Sequence, residues 1–154
     1  MFNVDAAVFK ETNRMGLGIL ARDHNGDFIA ACRQGVDNIV DPEMAEAVAF
    51  RRAINFAVQL PFKQVIIASD CLSLILKLRR VVKDRSHIAI IIQDIKESVR
   101  SSTDVVFSFT RVSRCCNVVA HVLAKSADQT NESIWHYVPP DFIWPALCND
   151  RLMK

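Results

Sequence analysis

Three carboxylates, Asp5, Glu46 and Asp70, stand where chemistry would account for them better than solvation. On a helical wheel at about 100° per residue, Glu46 falls in the middle of the apolar stripe made by Ala49, Phe50, Ala53, Ala57 and Leu60. Asp5 lies in an alternating segment, with Phe2, Val4, Ala6 and Val8 on one face and Asn3, Asp5, Ala7 and Phe9 on the other. Asp70 ends the apolar run "FKQVIIASD". If the two runs are parallel neighbours, and the helix bearing Glu46 packs across the face that Asp5 occupies, the three acids converge. Such a cluster repels itself and is desolvated, so it calls for a cation. Oxygen-only donors suit Mg²⁺ or Mn²⁺, and two such ions about 3.5–4 Å apart can activate water, hold a phosphate and stabilise a leaving oxygen. Each acid also has a plainer use. Asp5 fits an ordinary solvent-facing strand position, Asp70 a helix cap, and Glu46 either snorkelling to the helix edge or an ion pair with Arg22 or Lys63.

The elements that must position these groups are legible in the local patterns. "FNVDAAVF" (2–9), "MGLGILARD" (15–23) and "DFIAACRQG" (27–35) read as strands, the last two joined by a turn containing Asn25-Gly26, so an antiparallel meander comes first. Asp41 as N-cap and Pro42 at the first helical position predict a helix running to about Leu60 and stopped by Pro61. Residues 62–70 then form a short apolar run of the kind buried on both faces in a parallel sheet. Helices over about 71–80 and 88–101, a strand at 104–111 and a last helix over about 113–128 complete the order β-β-β-α-β-α-α-β-α. This predicts an α/β fold with a five-stranded mixed sheet flanked by helices. The tail, residues 129–154, carries two Trp, one Tyr and three of the prolines, which suits an extended segment clamped by aromatic anchors. One domain over residues 1–154 is expected, with its core over about 1–128.

Composition narrows the class without naming a partner. Of the 154 residues, 51% are hydrophobic and 23% charged, the balance of a folded globular protein, and no apolar run reaches the length of a membrane span. The first residues lack a secretory signal pattern, and the five cysteines show no C-x-x-C spacing, so a reduced intracellular setting, nuclear or cytoplasmic, is expected. A net charge of +2 leaves any nucleic-acid binding to locally placed Lys and Arg. A monomer is the default expectation.

Several of these stretches together resemble the type 1 ribonuclease H fold, in particular plant reverse-transcriptase-like domains related to retroelements. They are "NVDAAV", "GLGILARDHNGDFIAA", "AEAVAFRRAINFA", "IIASD", "RVSRCCNVVAHVLAK" and the tail "PPDFIWPAL", spread over nearly the whole chain. The resemblance implies four metal-binding acids, of which the first three fall on Asp5, Glu46 and Asp70 and the fourth on His121. A neutral imidazole brings no charge, so a second Mg²⁺ should bind weakly and Mn²⁺ be less affected. Beside Asn117, His121 also fits a plain helix-surface position, and Asp128 is about 10 Å further along the helix, too far to substitute.

The loop "RVSRCCN" has Arg111 where relatives carry a histidine thought to assist proton transfer or product release. Arginine cannot shuttle a proton at neutral pH, but Arg111, Arg114 and Asn117 together suit a phosphate at a helix N-terminus. The resemblance thus implies a nuclease cutting the RNA strand of RNA–DNA hybrids with one or two Mg²⁺ or Mn²⁺ ions, using Asp5, Glu46, Asp70 and His121. The alternative is a catalytically impaired module on the same fold that binds nucleic acid or protein.

Overall fold

The computed structural model describes residues 1–152, with side chains through residue 150. β1 (Phe2–Phe9), β2 (Arg14–Arg22) and β3 (Phe28–Asp37) form the expected antiparallel meander. Its second turn is closed by Asp23 Oδ1, which accepts from the amides of Asn25 and Asp27, while Gly26 takes a φ of 85° that a side chain would resist. α1 (Pro42–Val58) begins as its sequence predicts, with the Asp41 side chain accepting from the Met44 amide at 2.7 Å. β4 (Gln64–Ser69) then pairs in parallel with β1, setting Phe2 opposite Ile67 and Val4 opposite Ser69. α2 (Leu72–Arg79) and α3 (Ala89–Ser101) lead to β5 (Val106–Arg111), which extends the parallel part beside β4. A single 3-10 turn at Arg114–Cys116 then feeds α4 (Val118–Lys125).

Two departures from the sequence reading concern the C-terminal third. The last long helix is shorter than residues 113–128, because the 3-10 turn takes its start and a further turn follows Lys125. The tail is not simply extended. Glu132–His136 forms β6, antiparallel to β3, and Trp144–Leu152 forms α5, so the sheet has six strands in the order β5-β4-β1-β2-β3-β6. The aromatic clamp itself is present, with Trp135 and Phe142 meeting edge to face at 5.8 Å around the Arg33 guanidinium. Met153 and Lys154 of that tail lie outside the described residues.

The sheet separates two apolar layers. Phe2, Val4, Ile19 and Ile67 pack with Phe50, Ile54 and Ala57 of α1 and Ile92 and Ile95 of α3 on one face. Leu20 and Ala31 pack with Val119 and Leu123 of α4 and with Ile143 and Leu147 on the other. Consequently α1 does not cover the face that Asp5 occupies, as the sequence reading supposed. Asp5 points toward α4, and α1 lies on the opposite side. Among the described residues no helix is long and apolar enough to cross a membrane.

Close approach of α4 depends on glycine. A Cβ on Gly18, the residue opposite Asp5 in β2, would stand 2.1 Å from Ala120 O and 2.5 Å from Ala124 N. Both are backbone atoms, so the whole helix would have to move. Gly18→Ala should therefore cost about 1–3 kcal/mol, the range for overpacking a close-packed interior. Urea denaturation would read it as a lower midpoint at unchanged slope, and an unchanged midpoint would contradict this packing.

Candidate metal centre

The β1–β4 pairing ends at Val4 and Ser69, and the next residue on each strand is an aspartate. Asp5 and Asp70 therefore stand side by side where the ladder stops, as their positions in the two runs predict. Glu46 reaches the same point from α1, and one carboxylate oxygen from each of the three lies within 4.8 Å of the others. The groups converge past the end of β4, around the edge of the ladder, which reconciles their arrival from two faces of the sheet.

Their surroundings differ. Asp5 is buried, and His121 Nδ1 stands 2.6 Å from its Oδ2, a hydrogen bond in which the ring donates when Asp5 is ionised. Burial raises the Asp5 carboxyl above its usual range, the His121 bond works against this, and the Asp70 charge adds to it. Asp70 has Arg114 Nε at 3.3 Å from Oδ2, and that arginine side chain is 86% exposed, so water screens the pair. Among the described residues Glu46 forms no ion pair, and its Oε2 is fully buried without a hydrogen bond. Burial, then the charges of Asp5 and Asp70, push its carboxyl up from the usual 4.5 to about 9.

The plainer uses of these acids fail on geometry. Arg22 is paired with Asp150, and no ion pair joins Glu46 to Lys63 among the described residues. Asp70 is not the cap of α2: Cys71 holds the N-cap position, and the Cys71 amide donates to Ser69 Oγ. An orphaned, desolvated carboxylate oxygen beside two more carboxylates is a donor set that a hard divalent ion fits. His121 is not among the groups that close on this point. Its Nδ1 is spent on Asp5, so it touches the cluster through one member.

The positions named for phosphate contact divide. Arg111 at the end of β5 and Arg114 are exposed, and with Pro42, Glu43, Glu46, Asp70 and Cys71 they line an open cleft of about 530 Å³. Asn117 is instead 2% exposed and does not reach the cleft. Its Nδ2 donates to Val4 O at 2.9 Å, and its Oδ1 accepts from Asn3 Nδ2 at 3.2 Å. It ties the start of α4 to the strand carrying Asp5, a positioning contact in place of the expected phosphate contact. Asn3 is the residue the sequence reading missed. Its place on the Asp5 face of β1 was visible, but its partner, 114 residues away, was not.

A family model described as reverse transcriptase-like matches residues 3–127. A search of curated proteins found no match. Among solved structures, the chain is similar to ribonuclease H1 from the halophilic archaeon Halobacterium salinarum, with a TM-score of 0.73 at 19% identity, covering 82% of this chain and 94% of that one. It is also similar to LC11 ribonuclease H1 in complex with an RNA/DNA hybrid, with a TM-score of 0.71 at 16% identity, covering 83% and 95% of the two chains. A third similar structure is the N-terminal ribonuclease H domain of a Mycobacterium tuberculosis protein, with a TM-score of 0.69 at 17% identity, covering 83% and 91%. The meander, the parallel pair that brings Asp5 beside Asp70, and the match over residues 3–127 place the chain in the reverse transcriptase-like family, on the ribonuclease H fold.

Proposed function

We propose that the protein is a divalent-metal-dependent endonuclease of the ribonuclease H type, acting on the RNA strand of RNA–DNA hybrids. The observation that carries this reading is Glu46 Oε2, buried without a partner within reach of Asp5 and Asp70. These three would hold Mg²⁺ or Mn²⁺, which when bound stabilises negative charge developing on phosphate oxygens and eases deprotonation of water. The chain's own groups do the rest. Arg111 and Arg114 on the cleft wall attract the phosphate backbone and fix its register, a role that carries no sequence preference. Arginine does not shuttle protons at neutral pH, so Arg111 is assigned to phosphate contact and the proton of the attacking water to solvent. The hybrid as substrate is taken from the LC11 neighbour, which was solved with one. Three anionic oxygens suit a single ion, and His121 brings no fourth charge, so Mn²⁺ should support more activity than Mg²⁺.

One observation favours a second reading, a non-catalytic module on the same fold. Asp5 and Asp70 already have partners in His121 and Arg114. Glu46 weighs against it, because a chain without a metal would gain from an apolar residue at that place.

Cleavage of an end-labelled hybrid separates the two. The expected result is cutting in Mn²⁺ above that in Mg²⁺, abolished by Asp70→Asn, with His121→Asp raising the Mg²⁺ rate. No cutting in either metal, with no metal-induced rise in Tm, would leave the non-catalytic reading.

Linkage supplies a separate check on Glu46. In the metal-free fold it keeps its proton up to about 9, whereas the unfolded chain loses it near 4.5. Between these values the unfolded state binds fewer protons, so the contribution of Glu46 to stability falls as pH rises. Without metal, Glu46→Gln should therefore gain Tm on the wild type from pH 5 to pH 8. Saturating Mg²⁺, which must displace that proton, should reverse the gain at pH 8. Parallel pH profiles of the two proteins in metal-free buffer would contradict the desolvated state of Glu46.

A further inference from the structure

Outside the acidic cluster, the 3-10 turn carries two adjacent exposed thiols, Cys115 and Cys116, in a fixed arrangement. Ser113 Oγ lies 3.0 Å from Cys115 Sγ and 3.1 Å from Cys116 Sγ, and the two sulfurs are 3.9 Å apart. The backbone holds this triangle. The Cys116 amide donates to Ser113 O at 2.9 Å, the Cys116 carbonyl accepts from Asn3 Nδ2, and Asn117, next in the chain, is anchored to β1. A thiolate at Cys115 would accept from the Ser113 hydroxyl, turned from its bond to Cys116 Sγ, and from the Cys116 thiol so released. These hydrogen bonds, Ser113 first, hold the Cys115 thiol below its usual range.

The other cysteines lack this setting. Burial pushes the Cys32 thiol up to about 11, Cys71 is half-buried against Ser73, and Cys148 is exposed with no side-chain hydrogen bond to its sulfur among the described residues. Cys148 is thus an internal reference for exposure alone.

We infer that Cys115 and Cys116 form a thiol–disulfide exchange site for small disulfides of the glutathione type, with Cys115 as the attacking and Cys116 as the resolving thiol. In the first step the Cys115 thiolate bonds to one sulfur of the disulfide, whose S–S bond breaks and releases one thiolate. In the second, the Cys116 thiol gives up its proton to solvent and attacks Cys115 Sγ, and the second small thiolate leaves. Two protein thiols are oxidised and one disulfide is reduced to two thiols. The sulfurs are already neighbours, but resolution closes an eight-membered ring across one trans peptide, whose Cα spacing of about 3.8 Å is shorter than disulfides usually span, so the turn must loosen and the disulfide formed is strained and easily reduced. The chemistry stands apart from the nuclease reading, since neither thiol belongs to the acidic cluster. Arg114, the residue before Cys115, lines the acidic cleft, so an adduct would form next to its wall.

Incubating the full chain with glutathione disulfide at neutral pH, with intact-mass and peptide readout, tests this. A larger thiolate fraction outweighs the weaker nucleophilicity that accompanies it, so Cys115 should acquire glutathione faster than Cys148. The wild type should then lose the adduct and hold a Cys115–Cys116 disulfide that dithiothreitol reverses. Cys116→Ser should stop at the adduct, and Ser113→Ala should slow its formation. Modification of Cys115 no faster than of Cys148, or a wild type that keeps its adduct as Cys116→Ser does, would overturn the assignment. So would a Cys115→Ser chain that gains glutathione at Cys116 at the wild-type rate.

Discussion

The crowding of three carboxyl groups, Asp5, Glu46 and Asp70, which cannot all carry charge without compensation, is the constraint around which this site is arranged. Each has an oxygen within 4.8 Å of the other two, yet their compensation is unequal. Asp5 has a histidine and Asp70 an exposed arginine, whereas Glu46 has neither and is kept protonated by burial and by the two aspartates. A half-compensated cluster of this kind is less stable than an apolar patch of the same shape. It stands at the end of a parallel strand pair, where α/β proteins gather functional groups, and the divalent ion proposed above would supply the compensation.

The fold delivers the three groups by different devices. Two come from adjacent parallel strands, β1 and β4, at the place where their hydrogen bonding stops, so neither backbone has to leave its ladder to present a carboxylate. The third is carried by α1, whose start is fixed by the Asp41 cap and whose apolar residues lock it on the opposite face. α4 completes the surroundings without joining the cluster. Gly16 and Gly18 let its backbone sit against β2, and Asn117 bonds its first turn to Val4, which sets His121 against Asp5.

How much of this was legible in the sequence follows the range of the forces involved. The Asn25-Gly26 turn, the Asp41-Pro42 helix start and the apolar run ending at Asp70 are local signals, and their elements are found where those signals lie. The pairing of β1 with β4 follows from topology, so the convergence of the acids was visible too. Three features were not. The face on which α1 packs depends on which side of the sheet the crossover takes, and a helical wheel does not carry that information. β6 has only five residues and gains its pairing from β3 rather than from its own pattern. Asn117 read as a surface residue at a helix start because its partners, Asn3 and Val4, lie more than 110 residues away. Long-range hydrogen bonding decides such positions, and no window of sequence shows it.

The catalytic and non-catalytic readings share the fold and part at the acidic cluster. In one, the contacts of His121 and Arg114 are a resting arrangement that a metal would rearrange; in the other they are the final state. Diffraction from crystals soaked in Mn²⁺ at the manganese edge addresses this most directly. The account expects an anomalous peak bonded to Asp5, Glu46 and Asp70 that vanishes in Glu46→Gln. A clean map at millimolar Mn²⁺, with the carboxylates still held by His121 and Arg114, would contradict it.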